Sequence, residues 1–229
     1  MVPHSPASRF AHLPPSPVAD VEPPHDCPLC PRLVAFREGL RAEHPAWWNA
    51  PVRAFGDPDA RIAVVGLAPG MNGANRTGRP FTGDFAGILL YRTLLKFGLA
   101  EGVYEERADD SLRLKGVAIV NAVRCLPPQN KPTPEEISTC RSYYSLALDR
   151  LRHARILVAL GQIAHQSAVR TAGGRLADYK FGHLAEHVLP DGRVLIDSYH
   201  CSRYNQNTGR LTAEMFERVF ARALEVRDA

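Results

Sequence analysis

The sequence predicts an α/β fold in which a parallel sheet lies between helices. Two observations carry that prediction. Four short apolar runs recur along the chain, and stretches of helical periodicity separate them. At 229 residues, with 45% hydrophobic and 23% charged residues, the chain also suits one domain, or one domain with an arm, around a real core.

Taken in order, residues 1–24 carry seven prolines, few large apolar residues and no periodic pattern. They read as a mostly disordered Pro-rich arm, leaving 25–229 as the domain. Arg61–Leu67 reads as a buried strand, a continuous Ile, Ala and Val run ended by glycine and proline. Phe85–Leu99 reads as a helix with Leu89, Leu90, Leu94, Leu95 and Phe97 on a broad apolar face. Gly116–Val123 is a second strand. Thr133-Pro134-Glu135-Glu136 forms a capping box with proline at the first helical position, opening a helix to about Leu151 that contains Cys140. Arg155–Gly161 is a third strand, followed by a helix from Gln162, and Arg193–Tyr199 is a fourth. Thr212 caps a last helix in which Phe216, Val219, Phe220 and Leu224 share a face. No internal repeat is visible. Strands alternating with helices imply parallel pairing with helices on both faces.

No apolar run approaches the roughly 18–20 residues of a membrane span, and no export signal is visible at the N-terminus. The expected compartment is the cytoplasm. Net charge is only +4, but the basic residues Arg76 and Arg79, Arg124 and Lys131, and Arg203 and Arg210 fall in three loops. Asp84 is the only acid in stretches 66–84, 121–134 and 198–213. That distribution favours a polyanion partner, with three ordinary solvated loops as the plainer reading. Five cysteines in a cytosolic chain argue against a disulfide framework. Cys27 and Cys30 form a C-P-L-C pair, Cys125 and Cys140 are separated by fourteen residues, and Cys201 stands beside His200. Two plus two suggests a four-thiolate metal or iron–sulfur site, or else one local pair plus scattered core cysteines. Ligand counting does not separate zinc from a cluster. His25 could replace one thiolate, although a surface histidine explains it as well.

In a parallel sheet, ligands bind beyond the carboxyl ends of the strands. Three of the four strand ends carry suggestive residues: Gly66–Asp84, Asn121 and His200. The fourth, Gly161-Gln162, reads as a plain turn. The Gly66 loop lacks the lysine and Ser/Thr of a phosphate-binding loop, and it is not G-x-G-x-x-G. Its glycines still allow close backbone approach with N–H groups aimed at a ligand. Phe81, between Pro80 and Thr82, could stack on a flat ring or simply plug the core. Asn121 lies inside an apolar strand, where an unsatisfied amide costs roughly 1–3 kcal/mol. Its adjacent donor and acceptor suit a base edge, or a structural bond to a neighbouring loop. His200 could stabilise an anionic leaving group, and Arg203 and Tyr204 could wedge a duplex or touch phosphates. His183 and His187 have the i, i+4 spacing of a zinc pair, but Gly182 and Pro190 argue against the helix that pair would need.

The segments GLAPGMNGANRTGRPFTGD, NAVRCLPPQNKPTPEE and HCSRYNQNTGRLT, together with GQIAH and the C-P-L-C pair, resemble family 5 uracil-DNA glycosylases, the iron–sulfur branch of the uracil-DNA glycosylase superfamily. The resemblance covers most of residues 25–220. It implies a three-layer αβα fold with a central four-stranded parallel sheet, and a structural [4Fe–4S] cluster on Cys27, Cys30, Cys125 and Cys140. It further implies a DNA-repair enzyme that flips uracil, and other deaminated or etheno-modified bases, out of double-stranded DNA. Phe81 would stack on the base and Asn121 would bond its pyrimidine edge. The backbone of Gly66, Leu67, Ala68, Pro69, Gly70 and Met71 would contact the base and adjoining phosphate. His200 would stabilise charge on O2 of the departing base. Asp84 would stabilise the cationic sugar and orient water.

Related families place an acid or amide where Leu67 stands. Family 5 shares this absence, which moves the carboxylate role to Asp84; Asn72 is the alternative for positioning water. Asp84 also reads as a helix N-cap. Arg76, Arg79, Ser202, Arg203, Tyr204 and Asn205 are the expected DNA contacts. Cys201 replaces the proline of the commoner H-P-S form. The expected enzyme is monofunctional and monomeric, nucleoid-associated when bound to DNA, with no membrane partner. Two competing readings are a non-catalytic nucleic-acid-binding module on the same fold and a zinc-stabilised nucleotide-binding protein. A binding module has no need of Asp84 with His200.

Overall fold

The computed structural model describes residues 22–228. In chain order the strands are β1 (Phe55–Gly56), β2 (Ile62–Gly66), β3 (Ala100–Glu101), β4 (Arg113–Leu114), β5 (Val117–Asn121), β6 (Ile156–Leu160), β7 (Glu186–Val188) and β8 (Val194–Ser198). The helices are α1 (Pro31–Glu43), α2 (Ala74–Thr77), α3 (Phe85–Lys96), α4 (Pro134–Arg150), α5 (Gln162–Thr171), α6 (Arg203–Asn207) and α7 (Ala213–Asp228).

The main sheet has the order β1-β5-β2-β6-β8-β7. Its four central strands pair in parallel, as their uninterrupted apolar runs require. The sheet is wider than the four strands expected, because β1 and β7 add antiparallel edges. These edges are two and three residues long, too short to leave a period in the sequence. β3 and β4 form a separate ribbon.

Alternate side chains of the central strands enter opposite cores. Ile62, Val64, Ile119, Val158 and Ile196 pack with residues of α3 and α7 on one face. Ala63, Val65, Val120, Leu157 and Leu195 pack with residues of α4 and α5 on the other. The result is three layers.

The helix starts follow the sequence chemistry. The Thr133 hydroxyl accepts from Glu136 N (3.2 Å), and Thr133 N donates back to the Glu136 carboxylate (2.8 Å), completing the capping box. Arg32 of α1 forks onto the same carboxylate at 2.8 and 2.7 Å, tying two helices 104 residues apart. Helix α1 itself escapes sequence reading: of its residues only Leu33, Arg37 and Leu40 are buried, a stripe too sparse to show.

The ordered fold starts before residue 25. Pro23 is buried, and Glu22 accepts from Ala54 N at 2.7 Å and pairs with the buried Arg124 at 3.2 Å. The rest of the proposed arm lies outside the described residues. His183 and His187 do not share a helix; His187 sits on edge strand β7.

Candidate active site

The carboxyl ends of β2, β5 and β8 form one rim of the sheet. Gly66 and Asn121 are register partners at the last position of β2 and β5. A Cβ on Gly66 would overlap Asn121 Oδ1 and lie 3.0 Å from two atoms of the Phe81 ring. The glycine is therefore needed to let carboxamide and phenyl ring meet. Asn121 is 2% exposed, and its Oδ1 has no hydrogen-bond partner among the described residues. A buried acceptor left open at the rim is free to receive a donor from a bound group. The turn after β6 is more than a plain connection: Gly161, at φ +99°, lies where a Cβ would stand 3.4 Å from His200 Cβ.

Phe81 holds the left-handed region at φ +51°, a conformation that a non-glycine residue keeps only when its surroundings enforce it. They do so here. The Tyr104 hydroxyl donates to Phe81 O (3.1 Å) and accepts from Gly83 N (3.3 Å), and the Tyr91 hydroxyl donates to Pro80 O (2.5 Å). Arg79 lies below, 2% exposed. It forks onto Asp110 at 2.7 and 2.8 Å, donates to Thr82 Oγ1 at 2.7 Å, and sits 5.2 Å from the centre of the Phe55 ring. Burial acts to raise the Asp110 pKa, but the Arg79 fork and the N–H groups of Glu105 and Leu112 outweigh it and hold the carboxyl below its ordinary value. Arg79 is thus a sealed brace under the Phe81 turn, not the DNA contact expected from its basic loop. Arg124 is likewise buried, whereas Arg76, Lys131, Arg203 and Arg210 are exposed.

Asp84 caps α3 through Oδ1, which accepts from Gly87 N at 3.0 Å. Its Oδ2 faces the Gly70–Gly73 turn: a Cβ on Gly70 would come within 3.1 Å of it, and one on Gly73 would overlap it. Burial raises the Asp84 pKa, partly offset by the N–H groups of Gly87 and Ala86, with Glu106 adding a like charge. Capping through one oxygen and a partly buried second oxygen facing the Gly70–Gly73 turn thus coexist in one residue. Asn72 lies on the exposed side of the same turn, its carbonyl accepting from Arg76 Nε at 2.8 Å.

His200 faces the Phe81 ring, centroids 6.2 Å apart and planes 30° apart. Burial pushes its pKa down to about 4, so the imidazole is neutral at physiological pH. The turn that carries it is built by its own sequence. Asn205 Nδ2 donates to His200 O (2.8 Å), Ser202 caps α6, and Gln206 Nε2 donates to Cys201 O (2.7 Å). The amide of Asn205 and the hydroxyl of Ser202 are engaged in holding the turn, while Arg203 and Tyr204 project; Tyr204 is 71% exposed. The Cys201 thiol is fully buried, and burial first, then the Asp84 charge, keep it protonated.

A second assembly lies beside this rim. Cys27, Cys30 at the start of α1, Cys125 after β5 and Cys140 within α4 line one hollow with Leu33 and Tyr143. Burial, reinforced by the neighbouring sulfurs, pushes Cys30 up to about 11 and Cys125 up to about 12, and it raises Cys140 as well. A cation bound in the hollow would be held by these sulfurs as thiolates. A single tetrahedral zinc, with Zn–S near 2.3 Å, needs sulfurs about 3.8 Å apart. Among the described residues, three or more ligating atoms within 4.8 Å of one another occur at His165, His187 and Asp197 and not at these cysteines.

With this geometry in hand, comparison with known proteins is specific. The family model described as the uracil DNA glycosylase superfamily matches residues 53–224. A Type-5 uracil-DNA glycosylase of Thermus thermophilus is 49% identical over 202 residues, 86% of this chain and 92% of that protein. One of Pyrobaculum aerophilum is 41% identical over 202 residues, 86% of this chain and 88% of its own. A Type-4 uracil-DNA glycosylase of Thermotoga maritima is 38% identical over 110 residues, about half of each chain.

Proposed function

The chain belongs to the uracil DNA glycosylase superfamily, and from that premise we propose that it excises uracil from DNA with Asn121, Phe81, Asp84 and His200 as its working residues. It is a DNA-repair glycosylase, a hydrolase of the N-glycosidic bond. The observation that carries the residue assignment is the open, buried Oδ1 of Asn121 beside the Phe81 ring. Uracil brings the missing donor: its N3–H bonds Oδ1, while the carboxamide nitrogen donates to O4. Cytosine presents an unprotonated N3 and an amine at those places, so both contacts become mismatched. Phe81 supplies the face on which the extruded base stacks.

The C1′–N1 bond then breaks with its electron pair leaving on the base. Positive charge develops on the sugar, and the ionised Asp84 stabilises it at fixed distance. The neutral imidazole of His200 donates its one N–H to O2 of the uracil anion without giving up the proton. Water adds to C1′, and its proton passes to Asp84 and on to solvent. Asn72 stands at the outer edge of the same turn, the alternative holder of that water. The exposed Arg76, Arg203 and Tyr204 face the duplex around the flipped nucleotide.

The cysteine hollow fits a [4Fe–4S] cluster on Cys27, Cys30, Cys125 and Cys140. The convergence of four cysteines from separate segments on one hollow supports that reading. Its service is structural, joining the segment before α1 to α4 and to the chain after β5. The monomer acts on double-stranded DNA, on uracil and also on hypoxanthine and etheno-modified bases. The test is an excision assay on duplexes carrying each base. Uracil release by the purified protein, lost in Asn121→Leu with folding retained, supports the assignment. A folded, iron-loaded preparation that binds such DNA and frees no base would make it a binding module instead.

A further inference from the structure

The turn that faces the Asp84 carboxylate is held from outside by a residue that no motif singles out. Asn49 follows α1, is 1% exposed, and holds the left-handed region at φ +44°, a conformation that asparagine tolerates better than most residues. Every polar atom it owns is engaged. Its Nδ2 donates to Leu40 O (3.2 Å) and His44 O (2.8 Å), carbonyls in the last turn of α1 and just past it. Its backbone O accepts from Arg41 Nε at 2.9 Å. Its backbone N donates to Asn75 O at 3.0 Å, and its Oδ1 accepts from Asn75 Nδ2 at 2.9 Å. The direction of the last bond is fixed. Two carbonyls that only accept claim the Asn49 amide nitrogen, so the oxygen is the end left for Asn75.

Asn75 is 2% exposed and belongs to α2, the short helix that closes the catalytic turn. Its own N–H donates back to Gly70 O at 3.0 Å, and Trp48 N adds a bond to Arg76 O at 3.0 Å. The Gly70–Gly73 turn leaves no room for a side chain against Asp84 Oδ2. A shift of α2 by a fraction of a side chain's width therefore changes what surrounds the carboxylate. One end of the tie is the turn; the other is α1, which begins at Cys30.

We propose that Asn49, gripping Asn75, is a positioning residue for the glycosidic reaction: it transmits the placement of α1 to the turn that faces Asp84. This rests on the assignment of Asp84 to the chemistry. Asn49 touches neither base nor sugar, and it acts through the geometry of the turn.

The full-length protein is compared with Asn49→Gly, which removes the carboxamide and permits the positive φ, and with Asn75→Ala, which leaves the Asn49 bonds to α1 in place should Asn49→Gly fail to fold. Each variant slows single-turnover uracil excision roughly 10-fold with DNA affinity unchanged. Amide hydrogen exchange rises across residues 70–77 and stays at the wild-type level in α7. In an Asp84→Asn background the same substitutions cost no more than about twofold further, since the group they position is already gone. An equal loss of rate in both backgrounds, or unaltered exchange over 70–77, overturns the proposal. An Asp84→Asn protein as fast as wild type strikes the carboxylate assignment instead, and the exchange over 70–77 then decides the tie by itself.

Discussion

Asp84 serves two masters, and two substitutions separate them. Asn keeps an Oδ1 that can accept from Gly87 N, now at 3.0 Å, so Asp84→Asn preserves the cap of α3. It also removes a charge whose burial is unfavourable, as the raised pKa of Asp84 shows. Asp84→Ala loses the cap, worth about 1 kcal/mol. For a chain of this size that lowers the melting temperature by about 2–4 °C, while Asp84→Asn leaves it unchanged or higher. The catalytic effect is the same for both. A carboxylate about 4 Å from a developing sugar cation, at an effective dielectric near 20, contributes about 4 kcal/mol. Its loss slows the chemical step roughly 10³-fold. Single-turnover excision from a uracil-containing duplex, read as alkali-cleaved product, measures the rate; scanning fluorimetry measures stability; DNA affinity stays within a few-fold. If Asp84→Asn excises within tenfold of wild type, the carboxylate does no chemistry and Asn72 inherits the water. If Asp84→Asn melts as low as Asp84→Ala, the capping argument fails.

Burial raises the Asp84 pKa above its ordinary 3.8 and lowers that of His200 to about 4. Activity should therefore fall as pH drops through the raised Asp84 value, with no inflection near 6.5 from His200; a pH–rate limb near 6.5 that vanishes in His200→Gln would contradict the neutral imidazole. By the same linkage, protonated Asp84 stabilises the fold below 3.8, and that contribution fades as pH rises through the folded value, so acid melting curves of wild type and Asp84→Asn should converge at neutral pH less well than at low pH. Arg79→Met strands Asp110 in the interior and should destabilise by about 3–5 kcal/mol, leaving the salt dependence of DNA binding intact in protein that still folds, whereas Arg203→Ala should reduce the salt slope by about one. Competition binding over a salt series reads both. Gly66→Ala drives a methyl into Asn121 and the Phe81 ring, an overpacking of about 1–3 kcal/mol that should cut uracil excision roughly 10–100-fold; normal turnover would mean that the two groups do not meet across that glycine.

The central strands and the long helices α3, α4, α5 and α7 were legible in the sequence because their signals are local. An uninterrupted Ile62–Val65 run, a capping box at Thr133 and a period of 3.6 in α7 are imposed by burial and by backbone hydrogen bonding within a few residues. The edge strands β1 and β7 and helix α1 were not, since two or three paired residues, or a stripe of three buried ones, leave no period to read. The rim residues Gly66, Phe81, Asp84, Asn121 and His200 could be picked out because a parallel sheet delivers its strand ends to one side.

Charge was where sequence reading failed. Arg79 looks like any basic loop residue until Asp110, 31 positions on, closes over it, and Arg124 is claimed by Glu22 from the segment read as an arm. The neutral state of His200 belongs to the same class. The sequence by itself determined the order of the central strands and long helices and the residue types at the rim, because short-range sterics and periodic burial act on neighbours in the chain. Only the tertiary structure decided which cations reach solvent, which histidine is uncharged and which side chains meet. Those properties depend on desolvation and on distances between residues that the topology, not the chain, brings together.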